Sequence, residues 1–155
     1  MKDNMITGNL AHTFPYPELE NAVPRVALVV DDSMLIRHTV CRFLEERGYV
    51  AESAYDGVEA LEMLNTLLPD VIITDLQMPK MDGNQLIEKL KASPKTAHIP
   101  IIVLKGKNSI NDAEYDPRAD IAIFKDIDIV PSLDKALKAT VEKEPEKKTS
   151  GTKAS

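Results

Sequence analysis

LVVDDSM, Leu28 to Met34, runs three apolar residues straight into two adjacent aspartates. It closes RVALVV (25–30), a β-branched run of strand length, and opens SMLIRHTVCRFLEERG (33–48). In the second segment Ile36, Val40, Phe43 and Leu44 share one helical face, and Gly48 marks a stop. A strand therefore passes into a helix through Asp31, Asp32 and Ser33. Either Asp32 or Ser33 could cap that helix. Two neighbouring carboxylates repel each other, so their placement at the mouth of a hydrophobic core asks for a chemical reason.

The same alternation continues down the chain. YVAESA (49–54) reads as a second strand, and GVEALEMLNTLLP (57–69) as a helix with Ala60, Leu61, Leu64 and Leu68 on one face, closed by Pro69. DVIITD (70–75) is a third strand, and GNQLIEKLKAS (83–93) a short helix entered through an Asp82-Gly83 turn. IPIIVLK (99–105) and DIAIF (120–124) supply two more strands, and PSLDKALKATVEK (131–143) a closing helix with Pro131 near its start. Strands that alternate with helices and are apolar on both faces predict a doubly wound α/β fold, a five-stranded parallel sheet with helices on both faces. Ligands in such folds bind beyond the carboxyl ends of the strands. Asp31, Asp32, Asp75, Lys105 and Lys125 fall there.

The chain has 155 residues, enough for one domain with tails. Residues 1–24 show no sustained periodicity and read as a flexible arm, and 144–155 as a disordered polar tail, which leaves 25–143 as the domain. A net charge of −6 argues against a dedicated nucleic-acid surface. The single cysteine, Cys41, excludes an intrachain disulfide and lies in an amphipathic stretch, where a buried inert thiol is expected. His12, His38 and His98 are too scattered for a histidine metal site. No apolar run approaches a membrane span, and the N-terminus lacks the features of a signal peptide. A soluble cytoplasmic protein is expected.

Asp31 and Asp32 close strand one, Asp75 closes strand three, and these ends are neighbours in a parallel sheet. Clustered carboxylates raise one another's pKa unless a cation joins them. A hard divalent ion suits oxygen ligands, and Mg²⁺ keeps several waters in such a site. Lys125 brings a positive charge to the same rim. This set suits phosphoryl chemistry, with one Asp as nucleophile, the other acids on the metal, and metal and lysine neutralising the transferring oxygens. Asp is also common after strands simply as a turn or cap residue; the joint placement is what favours the chemical reading.

VVDDSMLIR, VIITDLQMPKMDG and IFKD together resemble the response-regulator receiver (CheY-like) domain of two-component signalling. The resemblance covers about Arg25 to Lys143 and implies a flavodoxin-like fold. It implies that Asp75 is the phosphoacceptor, Asp32 a direct metal ligand, and Asp31 an acid that holds the metal largely through water. It implies that the backbone carbonyl of Gln77 ligates Mg²⁺ and that Lys125 pairs with the phosphoryl group. A histidine kinase or histidine phosphotransfer protein would donate the phosphoryl group. The expected protein is a stand-alone regulator, not a turnover enzyme, that acts through an unknown downstream protein, with no nucleic-acid or membrane partner.

Three positions depart from the family. Lys105 stands where Ser or Thr is usual, Ala122 at the aromatic switch position, and Asp126 where proline usually follows the lysine. The Lys105 ammonium either enters the pocket toward Asp75 or snorkels to solvent. The segment NSINDAEYDPRAD (108–120) predicts a short or poorly formed helix. These departures keep a second reading open, a pseudo-receiver that docks a partner without phosphorylation. A haloacid-dehalogenase-like phosphatase would want Asp-x-Asp after strand one, and a nucleotide-binding fold a Gly-rich turn there; the sequence has neither.

Overall fold

The computed structural model describes residues 23–106, 115–125 and 128–143. The elements are β1 (Val26–Val30), α1 (Met34–Glu46), β2 (Val50–Ala54), α2 (Gly57–Met63), β3 (Val71–Asp75), α3 (Gly83–Ala92), β4 (Ile101–Lys105), β5 (Ile121–Phe124) and α4 (Ile129–Ala139). The five strands form one parallel sheet in the order β2-β1-β3-β4-β5. The chain runs outward from β1 to β2, then crosses back over β1 to β3. The carboxyl ends of β1 and β3 therefore flank the point where strand order reverses.

Strand alternation sorts the core into two layers. Ala27, Val29, Val71, Ile73, Ile102, Leu104 and Ile123 pack under α1 and α4 with Leu44, Leu133 and Leu137. Leu28, Val30, Ile72, Ile101 and Val103 face α2 and α3 with Leu86, Ile87 and Leu90. Burying each leucine of this kind is worth roughly 2 kcal/mol. Two-sided burial holds for β1, β3 and β4. It does not hold for the outer strands: Val50 and Glu52 in β2 and Phe124 in β5 are exposed, because each edge has only one neighbour.

Local signals set the helix ends. Ser33, not Asp32, caps α1, its hydroxyl accepting the Ile36 N–H. Gly48 follows that helix at φ 93°, a conformation a side chain resists. Asp82 and Gln85 form a reciprocal capping box on α3. Pro131 is the third residue of α4, which begins two residues before it; its missing N–H is among those a first turn leaves unpaired. Helix α2 is shorter than the periodicity predicts. It ends at Met63, the Asn65 and Thr66 amides bond only three residues back, and Leu68 is 55% exposed. The approach to Pro69 disfavours helical backbone and unwinds that end. Residues 1–22 of the predicted arm (1–24), the tail from residue 144, and residues 108–114 of the segment expected to hold a short helix (108–120) lie outside the described residues.

Beyond α4 the chain is tied back to the start of β2. Arg47 donates to Glu142 (2.5 and 3.4 Å) and Asp134 (2.5 Å), and the Tyr49 hydroxyl donates to Glu142 at 2.7 Å. Burial alone would raise the Glu142 carboxyl, but the Arg47 and Tyr49 bonds outweigh it and hold its pKa below the usual value. A lowered folded pKa means stabilisation present above the unfolded value and lost as pH falls through the folded one. Glu142→Gln should cost about 1 kcal/mol at neutral pH. The gap from wild type should close as pH drops below the ordinary carboxyl value of 4.5, because protonated Glu142 then resembles glutamine. Urea unfolding at neutral and acid pH measures this; a pH-independent gap would refute the ionic role.

Candidate functional site

Period-two alternation and register build the site. Val29 pairs with Ile73 and Val30 with Thr74, so Asp31 continues the row beside Asp75. Ala27 and Val29 point to the α1/α4 layer, as do Val71 and Ile73, so the next members, Asp31 and Asp75, emerge from that face at the strand ends. Ile123 belongs to the same layer, and Lys125 follows it by two residues. The Asp31 N–H still bonds Ala54 O and the Lys125 N–H bonds Lys105 O, which extends the sheet's order past the strands.

Asp31 is fully buried and Asp75 is 4% exposed. The Lys125 ammonium lies 3.1 Å from Asp31 Oδ2 and 3.0 Å from Asp75 Oδ2. Asp31 Oδ1 accepts the Ser33 N–H at 2.8 Å, and Asp75 Oδ1 accepts the Gln77 N–H at 3.4 Å. Burial raises both carboxyl pKa values, with Ser33, Gln77 and Lys125 opposing and the neighbouring acids adding to the rise. Burial also works against the charge on Lys125, but its bonds to Asp75 and Asp31 outweigh that and raise its pKa. The ammonium therefore stays charged between two carboxylates that resist ionisation.

Asp32 is exposed and completes the cluster: one oxygen from each of Asp31, Asp32 and Asp75 lies within 4.8 Å of the others. Two of these acids are buried, all donors are hard oxygens, and Lys125 pairs with two of the three carboxylates. That donor set fits a small divalent cation. Gln77 is exposed two residues past Asp75. Arg37, a residue the motifs do not single out, donates to the Asp31 carbonyl at 2.8 Å. Its signal is its place one helical turn into α1, where side chains lean back toward the N-terminus.

Lys105 is not brought to this cluster. Alternation along β4 sends it to the side of Val103, opposite Leu104 and Asp75. Its ammonium stands 5.7 Å from the Tyr115 ring centre and 5.5 Å from that of Phe124, its register partner on β5. Asn84 accepts the Asp116 N–H at 2.7 Å, which ties the Tyr115 segment to α3. Ala122 is half-buried and packs in the α2/α3 layer. Cys41 is half-buried and its thiol pKa is raised, chiefly by burial, as expected of an inert thiol.

Residues 27–138 match the family described as response regulator receiver domain. The chain belongs to that family. Response regulator MprA of Mycobacterium ulcerans (strain Agy99) is 39% identical over 95 residues, which is 60% of this chain and 40% of the relative. The chain thus spans well under half the length of such relatives. The structure of the chemotaxis response regulator CheY4 of Vibrio cholerae matches with TM-score 0.64 at 28% identity, over 74% of this chain and all of that one. The receiver domain of sensor histidine kinase PA1611 from Pseudomonas aeruginosa PAO1 shares the fold, with TM-score 0.70 at 20% identity, over 77% of this chain and 99% of that one; it was solved with a magnesium ion coordinated in its active site cleft. Receiver domains are signalling modules, and the CheY-like, flavodoxin-like fold expected from the sequence is the one observed. No described helix is long and apolar enough to cross a membrane.

Proposed function

We propose that this receiver accepts a phosphoryl group on Asp75 from a histidine kinase or histidine phosphotransfer protein. The observation that carries the reading is the pair of buried carboxylates, Asp31 and Asp75, bridged by Lys125 at the strand-order reversal. An Asp75 carboxylate oxygen attacks phosphorus, the bond from phosphorus to the donor nitrogen or oxygen breaks, and the leaving group keeps the electron pair and takes a proton. The product is an acyl phosphate. Lys125 neutralises charge on the transferring oxygens. Asp32 would ligate Mg²⁺ directly, with Asp75 and the Gln77 backbone carbonyl, and Asp31 would hold it largely through water. When bound, the ion would supply further neutralisation of phosphoryl charge. The signal would pass to a downstream protein by contact.

A pseudo-receiver remains the second reading, because Lys105 and Ala122 replace the residues through which the family usually reports phosphorylation. Incubation with acetyl phosphate or phosphoramidate decides between them. The proposal expects Mg²⁺-dependent, base-labile phosphate on wild type, mapped to Asp75 and absent from Asp75→Asn. Labelling of Asp75→Asn at the wild-type level would reassign the acceptor, and no labelling of wild type would favour the pseudo-receiver.

A further inference from the structure

The loop from Leu76 to Asp82 joins β3 to α3 and contains Gln77. Among its residues Lys80 has φ 67°, the one positive value among the described non-glycine residues. That left-handed conformation belongs to glycine or asparagine, and a lysine adopts it only where other contacts hold it. Its ammonium lies 3.8 Å from Asp56 Oδ2 and 5.9 Å from the centre of the Tyr55 ring. Asp56 is 1% exposed. Its Oδ1 caps α2 by accepting the Glu59 N–H at 2.8 Å, and its Oδ2 is buried with no hydrogen-bond partner among the described residues. Beside this pair Gly57 packs so tightly on Met81 that a Cβ there would lie 2.9 Å from the Met81 Cγ and Sδ. Tyr55, Asp56 and Gly57 thus form a seat for two consecutive loop residues, Lys80 and Met81.

We propose that Lys80 and Asp56 form an electrostatic clasp that positions the Leu76–Asp82 loop, with Lys80 a positioning residue for the metal-binding end of the site. The strained backbone presents the ammonium to a buried carboxylate oxygen that no described hydrogen-bond donor reaches. Glycine would fit the backbone at that position at less cost but could not make the pair. The consequence for Mg²⁺ rests on the function proposed above; the clasp itself does not.

Amide exchange in metal-free protein tests the clasp, read at the Met81 N–H, which bonds Pro79 O, and the Gly83 N–H, which bonds Leu76 O. Lys80→Met removes the charge. Asp56→Asn removes the other charge while its side-chain oxygen still caps α2. Each should speed exchange at Met81 and Gly83 by about threefold, a factor in keeping with a half-exposed ion pair. The double variant should exchange no faster than either single variant, because both remove the same interaction. Lys80→Arg should behave as wild type. Lys80→Gly should speed loop exchange even though it relieves the backbone. Mg²⁺ titration of the same spectra should show binding weakened by a similar factor in Lys80→Met and Asp56→Asn. Additive effects in the double variant, or wild-type exchange in Lys80→Met, would overturn the clasp. If wild type itself bound no Mg²⁺, the proposed function would fail while the metal-free exchange still decided the clasp.

Discussion

Lys125→Met should destabilise the metal-free protein by about 3 kcal/mol and at the same time tighten Mg²⁺ binding by about tenfold. The two effects would have opposite signs because Lys125 and a divalent ion held as proposed would satisfy the same oxygens. Asp31 and Asp75 are buried, and the Lys125 side chain, 19% exposed, is bonded through its ammonium to both. Removing it leaves two buried carboxylates without their cation, which is the costly way to break a buried pair. It also makes the rim more negative, and a cation entering the cluster no longer competes with an ammonium. Methionine keeps the length and apolar character of the lysine stem, so packing loss contributes little. Urea unfolding in chelator and Mg²⁺ titration by amide shifts measure the two quantities. A variant as stable as wild type would show that Lys125 does not bridge the acids. Weaker Mg²⁺ binding would place the ion away from Asp31, Asp32 and Asp75.

Gly83→Ala should destabilise the fold by about 3 kcal/mol and reduce phosphate uptake at Asp75. A Cβ at Gly83 would lie 2.3 Å from the Asp75 carbonyl oxygen and 2.9 Å from Leu76 Cα. Both are backbone atoms and neither can rotate away. Helix α3 would have to retreat, breaking the 2.8 Å bond from the Gly83 N–H to Leu76 O and shifting the main chain that carries Asp75. Gly57→Ala is the matching control. Its Cβ meets the Met81 side chain at 2.9–3.0 Å, and a methionine can swing aside at a cost of about 1 kcal/mol. Equal losses in the two variants would mean that α3 yields as easily as a side chain does, and the close approach at Gly83 would not be what fixes Asp75.

Much of this was legible in the sequence because it depends on local period. The apolar runs ending at Val30, Asp75 and Lys105 are central strands, since residues buried on both faces need no alternation to be recognised. The acids and Lys125 at the strand ends followed from that placement, and Ser33 and Asp82 carry their capping chemistry in their own side chains. Where two local signals compete, sequence and structure differ. Leu64 and Leu68 continue a helical stripe, yet the approach to Pro69 unwinds the chain and leaves Leu68 exposed. YVAESA reads as a strand, but nothing in six residues says whether a strand lies at the edge of a sheet, where Val50, Glu52 and Ser53 are exposed.

The order of strands and helices, and the residues that end each strand, are readable from residue order alone. Those properties are set by side-chain type and spacing within a few residues. The particular contacts at the strand ends come from the assembled sheet. Register sets Asp31 beside Asp75 and turns Lys105 to the opposite face, over Tyr115 and Phe124. The pairing of Lys80 with Asp56 is likewise invisible in the chain, because it joins a left-handed residue in one loop to a helix cap in another. A one-residue slip in register would reverse the face of every side chain on a strand. What fixes the register is the packing of both faces at once, a property of the assembled core and not of any single segment.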